Sequence, residues 1–321
     1  MPIEIVAKLD RESAVYLAGE AIQCKVIVQN IGNHEESLAW GSVHVQCERI
    51  VRGNKADIPL SRKSSGEEKS KTVATTAIGH LVRYIYKLTL GVQHVKSPIK
   101  LIHVPLRIIQ SDLGLTLPSS PTLVNPFISN RSVGPSIVDL AMEASDCLTA
   151  PHGVYSYNIT NAFGRIANFL LNKKAYKLGE DVIGRFNFDN CGVRCLQFAV
   201  SLQSVENLVN EEWCSHTFVT THMTEHIVCA YWTEAAIRLH IPLSATSTFY
   251  TDTVHLKWRL HFEFVTCNDF NEEVEEGLWQ APTNVNIETM AWDLDIKVFP
   301  CNPHNAALTL PSPTTPASII V

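Results

Sequence analysis

Two tandem all-β domains, each an antiparallel β-sandwich, are what this 321-residue sequence predicts. Three observations carry that expectation. Residues 16–30 (YLAGEAIQCKVIVQN) recur in phase as residues 176–190 (YKLGEDVIGRFNFDN). Apolar side chains fall at every second position in both copies, and further strand-like blocks recur downstream in the same order.

In each copy a tyrosine precedes a Gly-Glu pair. Ile22, Cys24, Val26 and Val28 in the first then stand where Val182, Gly184, Phe186 and Phe188 stand in the second. Period-two spacing puts each set on one face of a strand. Gly19 and Gly179 sit where a turn into that strand needs positive φ, which glycine adopts without steric cost. Glu20 and Glu180 repeat with the turn and read as acceptors for loop amides or partners of a nearby lysine, ahead of any catalytic role. Downstream, Val43-x-Val45-Gln46 matches Val200-x-Leu202-Gln203, YKLTL from Tyr86 matches LKWRL from Leu256, and Val104-x-Leu106-Arg107-Ile108 matches Leu294-x-Ile296-Lys297-Val298. Constant strands joined by loops of unequal length are what a duplicated β-domain leaves behind.

Taken in order, residues 3–9, 21–30, 38–48, 84–92 and 101–110 read as strands of a first domain over 1–110, the last two flanking the Ser97-Pro98 turn. The charged run 52–71 reads as a loop. A Pro- and Ser-rich linker, 111–152, contains Ile137, Leu140, Ala141, Ala144 and Leu148 at helical spacing, which predicts one short amphipathic helix between the domains. The second domain covers 153–300. Its best strands lie around Phe186 and at 196–203, 237–243, 254–266 and 292–299. The Pro- and Thr-rich tail, 301–321, reads as disordered until its last apolar residues.

Hydrophobic residues make up 45% and charged residues 18%, the balance of a globular chain. The net charge of −6, with no Lys/Arg cluster, disfavours nucleic-acid binding and a cationic membrane face. The opening MPIEIVAKLDRE meets charge at once and lacks the apolar core of a signal peptide. The apolar stretch 99–109 is too short to cross a bilayer and carries Lys100, His103 and Arg107. Nine cysteines, several at core-facing strand positions, read as reduced cytosolic thiols, so the glycosylation-like Asn130-Arg-Ser132 and Asn158-Ile-Thr160 carry no weight.

No phosphate loop, dinucleotide-binding glycine motif or nucleophile elbow is present, so the reading assigns no catalytic residue and no cofactor. His222-Met-Thr-Glu225-His226 formally matches the His-x-x-Glu-His pattern of inverted zinc peptidases. That pattern grips a metal only on a helix, and the surrounding SHTFVTTHMTEHIVCAYW favours strand or loop, so no metal site is assigned. Cys191-x-x-x-Cys195 has the wrong gap for a zinc knuckle or redox pair, and buried thiol is the better reading of Cys195. The acidic run 271–276 lacks the alternating Asp ligands and central Gly of a calcium loop and reads as solvated. Along 257–264 the side chains alternate. Trp258, Leu260, Phe262 and Phe264 form the core-facing set, while Lys257, Arg259, His261 and Glu263 face outward and are the candidate partner-binding residues.

The aromatic-x-x-Gly-Glu turn before an alternating strand, present once in each tandem β-domain, resembles the arrestin fold, with Ala18 and Leu178 where a proline is frequent. More specifically, GEAIQCKVIVQN, YIYKLTLGVQHVKSPIKLIHVPLRII, YKLGEDVIGRFNF, CLQFAVSLQ, IPLSATSTFYTDTVHLKWRLHFEFVT and ETMAWDLDIKVFP resemble the Rgp (reduced growth phenotype) family across both domains. The resemblance implies an arrestin-fold, non-enzymatic subunit of the Ric–Rgp guanine-nucleotide exchange complex. Its implied partners are the large Ric subunit and the Golgi Rab GTPase of the sixth subfamily. Its implied place is cytoplasmic and peripheral on Golgi membranes through the complex, in retrograde endosome-to-Golgi and intra-Golgi transport. An arrestin-like cargo or coat adaptor in endosomal sorting is the alternative. There is one departure. Ile241-Pro242-Leu243-Ser244 precedes the strand from Val254, but Val73 to Leu81 stands at the equivalent place before Tyr84 without a proline. The first sandwich is therefore expected to lack or shorten a strand and to leave an edge of unpaired backbone.

Overall fold

The computed structural model describes residues 3–32, 37–51, 77–78, 80–95, 99–110, 136–209, 217–268, 285–309 and 317–320. The expected loop 52–71, the Pro/Ser-rich stretch 111–135, the Ser97-Pro98 turn and the acidic run 271–276 lie outside these residues. The described chain is an all-β protein with two short helices, and it divides into two compact units. One comprises Met1–Ala144, Leu243–Ser247 and Pro300–Val321, the other Ser145–Pro242 and Thr248–Phe299.

The first unit begins with β1 (Ile3–Leu9), β2 (Val15–Leu17), β3 (Cys24–Asn30), β4 (Leu38–Val51), β5 (Ala77–Ile78), β6 (Val82–His94) and β7 (Lys100–Ile109). β1 pairs antiparallel with β3, from Ile3 opposite Asn30 to Leu9 opposite Cys24. A second sheet runs β2-β7-β6-β4, with β5 on β6. Ile5 and Ala7 of β1 meet Leu88, Leu90 and Val92 of β6 and Val104 and Leu106 of β7 in one buried cluster, so the two sheets pack face to face.

A helix, α1 (Ile137–Thr149), follows, and the boundary between the units falls inside it. Ser136 and Asp139 start it reciprocally: Ser136 Oγ accepts from the Asp139 N–H at 3.1 Å, and Asp139 Oδ2 accepts from the Ser136 N–H at 3.1 Å. The helix is where the spacing predicted, but its buried face is rotated. Val138, Ala141, Ser145 and Thr149 are buried while Leu140 and Leu148 are exposed. Of the expected stripe Ala141 is buried and Ile137 and Ala144 are half-buried, while small residues complete the inward side, where the Thr149 hydroxyl is satisfied by donating to Ser145 O at 2.7 Å.

The second unit contains β8 (Tyr155–Asn161), β9 (Gly164–Leu171), β10 (Ala175–Lys177), β11 (Asp181–Asn187), β12 (Arg194–Leu208), β13 (Thr217–Val228), β14 (Glu234–His240), β15 (Phe249–Tyr250), β16 (Val254–Cys267) and β17 (Ile287–Phe299). Its sheets run β14-β11-β9-β8 and β10-β17-β16-β12-β13, with β15 on β16. Aromatic rings fill the space between them. Phe169 of β9 lies 5.0 Å from Phe262 of β16, and Phe186 of β11 lies 4.4 Å from Phe198 of β12. Gly184 is glycine for a packing reason, because a Cβ there would stand 2.5 Å from Phe169 Cε2.

The tail departs from its composition. Pro303–Ala307 forms helix α2, capped where Asn302 Oδ1 accepts from the His304 N–H at 2.9 Å, and Ala317–Ile320 forms β18, antiparallel to β1. Disorder was expected up to the last apolar residues because prolines and threonines dominate residues 301–321. Those last apolar residues form β18, which has a non-local strand partner in β1, and α2 packs against β2.

The duplication holds strand for strand. β1, β2, β3, β4, β5, β6 and β7 pair among themselves as β9, β10, β11, β12, β15, β16 and β17 do. Even the short parallel contacts repeat: Tyr16 lies opposite Ile108, and Tyr176 opposite Val298. The repeated turns are built alike. Gly19 and Gly179 both have φ of 89°, Glu20 Oε2 accepts from the Leu17 N–H at 2.9 Å, and Glu180 Oε2 accepts from the Lys177 N–H at 3.0 Å. A cation neutralises each carboxylate, Arg11 in one turn and Lys173 in the other.

Candidate partner-binding face

β16 alternates as its sequence requires. Trp258, Leu260, Phe262 and Phe264 are fully buried, while Lys257 and Glu263 are exposed and Arg259 and His261 half-buried on the opposite face. The structure thus brings the four candidate residues together along one outward side of a central strand. Register supplies neighbours that sequence alone does not name. His261 stands opposite Asp293 of β17 and Ser201 of β12, and Arg259 opposite Asp295 and Gln203.

Those neighbours hold the candidates in place. Arg259 Nη1 donates to Asp293 Oδ2 at 2.6 Å and its Nε to Gln203 Oε1 at 3.0 Å. His261 Nδ1 lies 2.6 Å from Asp293 Oδ1, and Nε2 lies 3.3 Å from Glu263 Oε1. Gln203 Nε2 reaches Thr221 Oγ1 at 3.3 Å, which carries the polar ladder across to β13. Arg259 and His261 are thus held in one geometry, pre-organised in the way that keeps ordering costs low on association.

Ser201, His261 and Asp293 lie side by side, the residue types of a hydrolase triad. Their bonds run elsewhere. Ser201 Oγ is 2.9 Å from Thr224 Oγ1, and His261 Nε2 faces Glu263, so the nucleophile–base hydrogen bond of a triad is not formed. A shallow depression of about 130 Å³ at this face is lined by Gln197, Ala199, His226, Val228, Glu263 and Val265, below the roughly 300–1,000 Å³ of small-molecule sites.

His222 and His226 belong to β13, and a β-bulge separates them. Leu202 pairs with Met223 but Gln203 with Thr221, so His222 is the extra residue. It turns inward, its ring 4.5 Å from that of Trp258 and Nε2 2.8 Å from Ser204 Oγ, and burial pushes its pKa below the ordinary value. His226 is exposed on the outer face opposite Ala199. The two imidazoles therefore point to opposite sides of the sheet, and no metal-binding cluster of His, Cys, Asp or Glu exists among the described residues. Cys195 is buried in β12, as its strand position predicted.

Sequence reasoning missed Asp293, Gln203 and a second exposed ion cluster, in which Asp181 accepts from Arg238 Nε at 2.7 Å and pairs with His240 Nδ1 at 2.8 Å. Finding the partner of Asp293 across the sheet needed the register.

Residues 127–267 match the Rgp1 family. The human protein named RAB6A-GEF complex partner protein 2 is 33% identical over an alignment of 389 residues that covers 98% of this chain and 98% of that protein. The bovine protein of the same name is 32% identical over 371 residues, covering 92% of this chain and 93% of its own length.

Proposed function

Since this chain belongs to the Rgp1 family, we propose that it is a non-enzymatic subunit of a Rab guanine-nucleotide exchange complex acting on the Golgi Rab GTPase in retrograde transport. The observation that carries this reading is similarity over nearly the whole length to proteins named as partners in such a complex. Exchange makes and breaks no covalent bond. It speeds nucleotide release because the complex binds the opened GTPase better than the loaded one, trading switch-segment and magnesium contacts for protein contacts. A β scaffold with a pre-organised polar face on its second unit suits that task. Lys257, Arg259, His261 and Glu263 contribute to partner binding, and the large Ric subunit is the partner that brings the chain to Golgi membranes. No described helix is long and apolar enough to cross a membrane, which fits peripheral recruitment through the complex.

The test is to purify the protein with its associated partners and measure nucleotide release from Golgi Rab proteins. Accelerated release by the assembled complex, reduced when Lys257 and Arg259 are changed to Glu, is expected. No acceleration, together with capture of coat components, refutes the reading in favour of a sorting adaptor.

A further inference from the structure

The repeat makes each unit a control for the other. In the second unit β14 pairs with β11 and β13 with β12, so on the side of β11 and β12 each sheet continues one strand beyond the repeated set. Val200 and Leu202 of β12 and Phe186 of β11 are consequently 0% exposed. At the matching positions of the first unit Val43, Val45 and Val26 are 50%, 60% and 37% exposed. All three face inward by register: Val43 lies opposite the buried Leu90, Val45 opposite Leu88, and Val26 opposite Ala7. No described strand pairs with the far side of β3 or β4. Among the described residues, one flank of the first sandwich is therefore open, with core-type side chains showing between the edges of β3 and β4.

Natural edge strands are normally blunted by inward charges, prolines or bulges. Here the inward positions over residues 24–28 of β3 are Cys24, Val26 and Val28 and over 41–47 of β4 are Gly41, Val43, Val45 and Cys47, with neither charge nor proline among them, and the charged Arg49 comes only at the next inward position of β4. An uncharged, aliphatic gap between two edges selects an uncharged, aliphatic filler. The second unit shows its form: β14 offers Ala235, Ile237 and Leu239 at every second position, all buried. The 25 residues outside the described structure after β4, 52–76, offer no such pattern. Ile58, Leu60 and Val73 are their only large aliphatic residues, set in a charge-dense run.

We propose that this open flank of the first unit docks a β-hairpin of a partner protein, one strand extending β3 and the other extending β4, with aliphatic side chains at alternate positions completing the core. This is strand addition, in which main-chain bonds to an edge give affinity and alternate side-chain pockets give selectivity. It rests on the reading of the chain as a complex subunit and adds a contact on the first unit to the one proposed for the polar face of β16.

The test uses the full chain, alone and co-expressed with the large subunit of the exchange complex. Val43→Glu with Val45→Glu is compared with Ser42→Glu with His44→Glu, which changes the opposite face of the same strand. Because the valine side chains are already exposed, the lone Val43→Glu/Val45→Glu chain should melt as wild type does. Its assembly with the large subunit should weaken by at least about tenfold, since docking would bury two unpaired charges. The opposite-face variant should assemble normally. Backbone amides of residues 24–30 and 41–47 should exchange more slowly in the complex than in the lone chain. Normal assembly of Val43→Glu/Val45→Glu with unchanged amide exchange overturns the proposal while leaving the complex reading intact. Two further results also overturn it: edges already protected in the lone chain and released by deleting residues 52–76, or a lone-chain dimer dissolved by the valine substitutions. A wild-type chain that assembles with no exchange-complex subunit sinks the complex reading and this proposal with it.

Discussion

Gly184→Ala tests the packing of the second unit at its tightest point. The added Cβ would lie 2.5 and 2.6 Å from Phe169 Cε2 and Cζ and 3.3 Å from Ile237 Cγ1. The Phe169 ring is fully buried and has Phe186 at 4.6 Å and Phe262 at 5.0 Å, so it has no open side to retreat into. An unstrained Gly→Ala change would stabilise by about 0.4–1 kcal/mol through the unfolded chain. Overpacking costs about 1–3 kcal/mol, so it decides the sign. For a unit of this size about 2–4 °C is lost per kcal/mol, giving an expected fall in melting temperature of roughly 2–12 °C, read by thermal unfolding with near-ultraviolet circular dichroism. Phe169→Leu withdraws the clashing atoms. The double variant should therefore be less unstable than the sum of the single variants by at least about 0.5 kcal/mol in denaturant titrations. A Gly184→Ala melting temperature within about 1 °C of wild type, or strict additivity with Phe169→Leu, would refute the reasoning.

The repeated turns should respond alike: Glu20→Ala and Glu180→Ala each remove the acceptor of a loop amide and are expected to cost about 1–3 kcal/mol in denaturant melts, with Glu→Gln milder. Burial holds His222 below its ordinary pKa of 6.5, and burial followed by the nearby Lys87 does the same to His103. The unfolded chain therefore takes up these protons first, so stability is complete above pH 6.5 and falls as the pH drops below it. His222→Gln should flatten part of that fall in melting temperature measured between about pH 5 and 8. Because the bulge at His222 turns the two imidazoles apart, zinc titration followed by metal analysis should give the same uptake for His226→Ala as for wild type. Asp293→Asn should change stability by less than about 1 kcal/mol, as exposed ion pairs do, while loosening Arg259 and His261.

Most strands were legible because amphipathic alternation is a local property. Residues 3–9 and the strand start at Val254 coincide with β1 and β16 as found. The duplication was legible too, since the same spacing of Tyr, Gly, Glu and apolar residues must build the same turn and strand twice. β8 and β9 were not read as strands in the sequence; Asn and Thr in residues 155–161 break the alternation of β8. β2 and β10, at three residues each, carry too little pattern to be seen. The outward placement of Arg259 and His261 was readable, but their bonds to Asp293 and Gln203 were not.

The sequence by itself determined that this is a two-fold repeated β protein, which residues face inward, and that no familiar nucleotide or hydrolase motif is present. Tertiary structure alone decided the rest. The bulge that parts His222 from His226, the pairing of β18 with β1, the rotated face of α1 and the uncovered valines of β3 and β4 all depend on which distant segment supplies the neighbouring strand or surface. Periodicity reports which side of a strand is apolar. It carries no information about whether another part of the chain arrives to cover it.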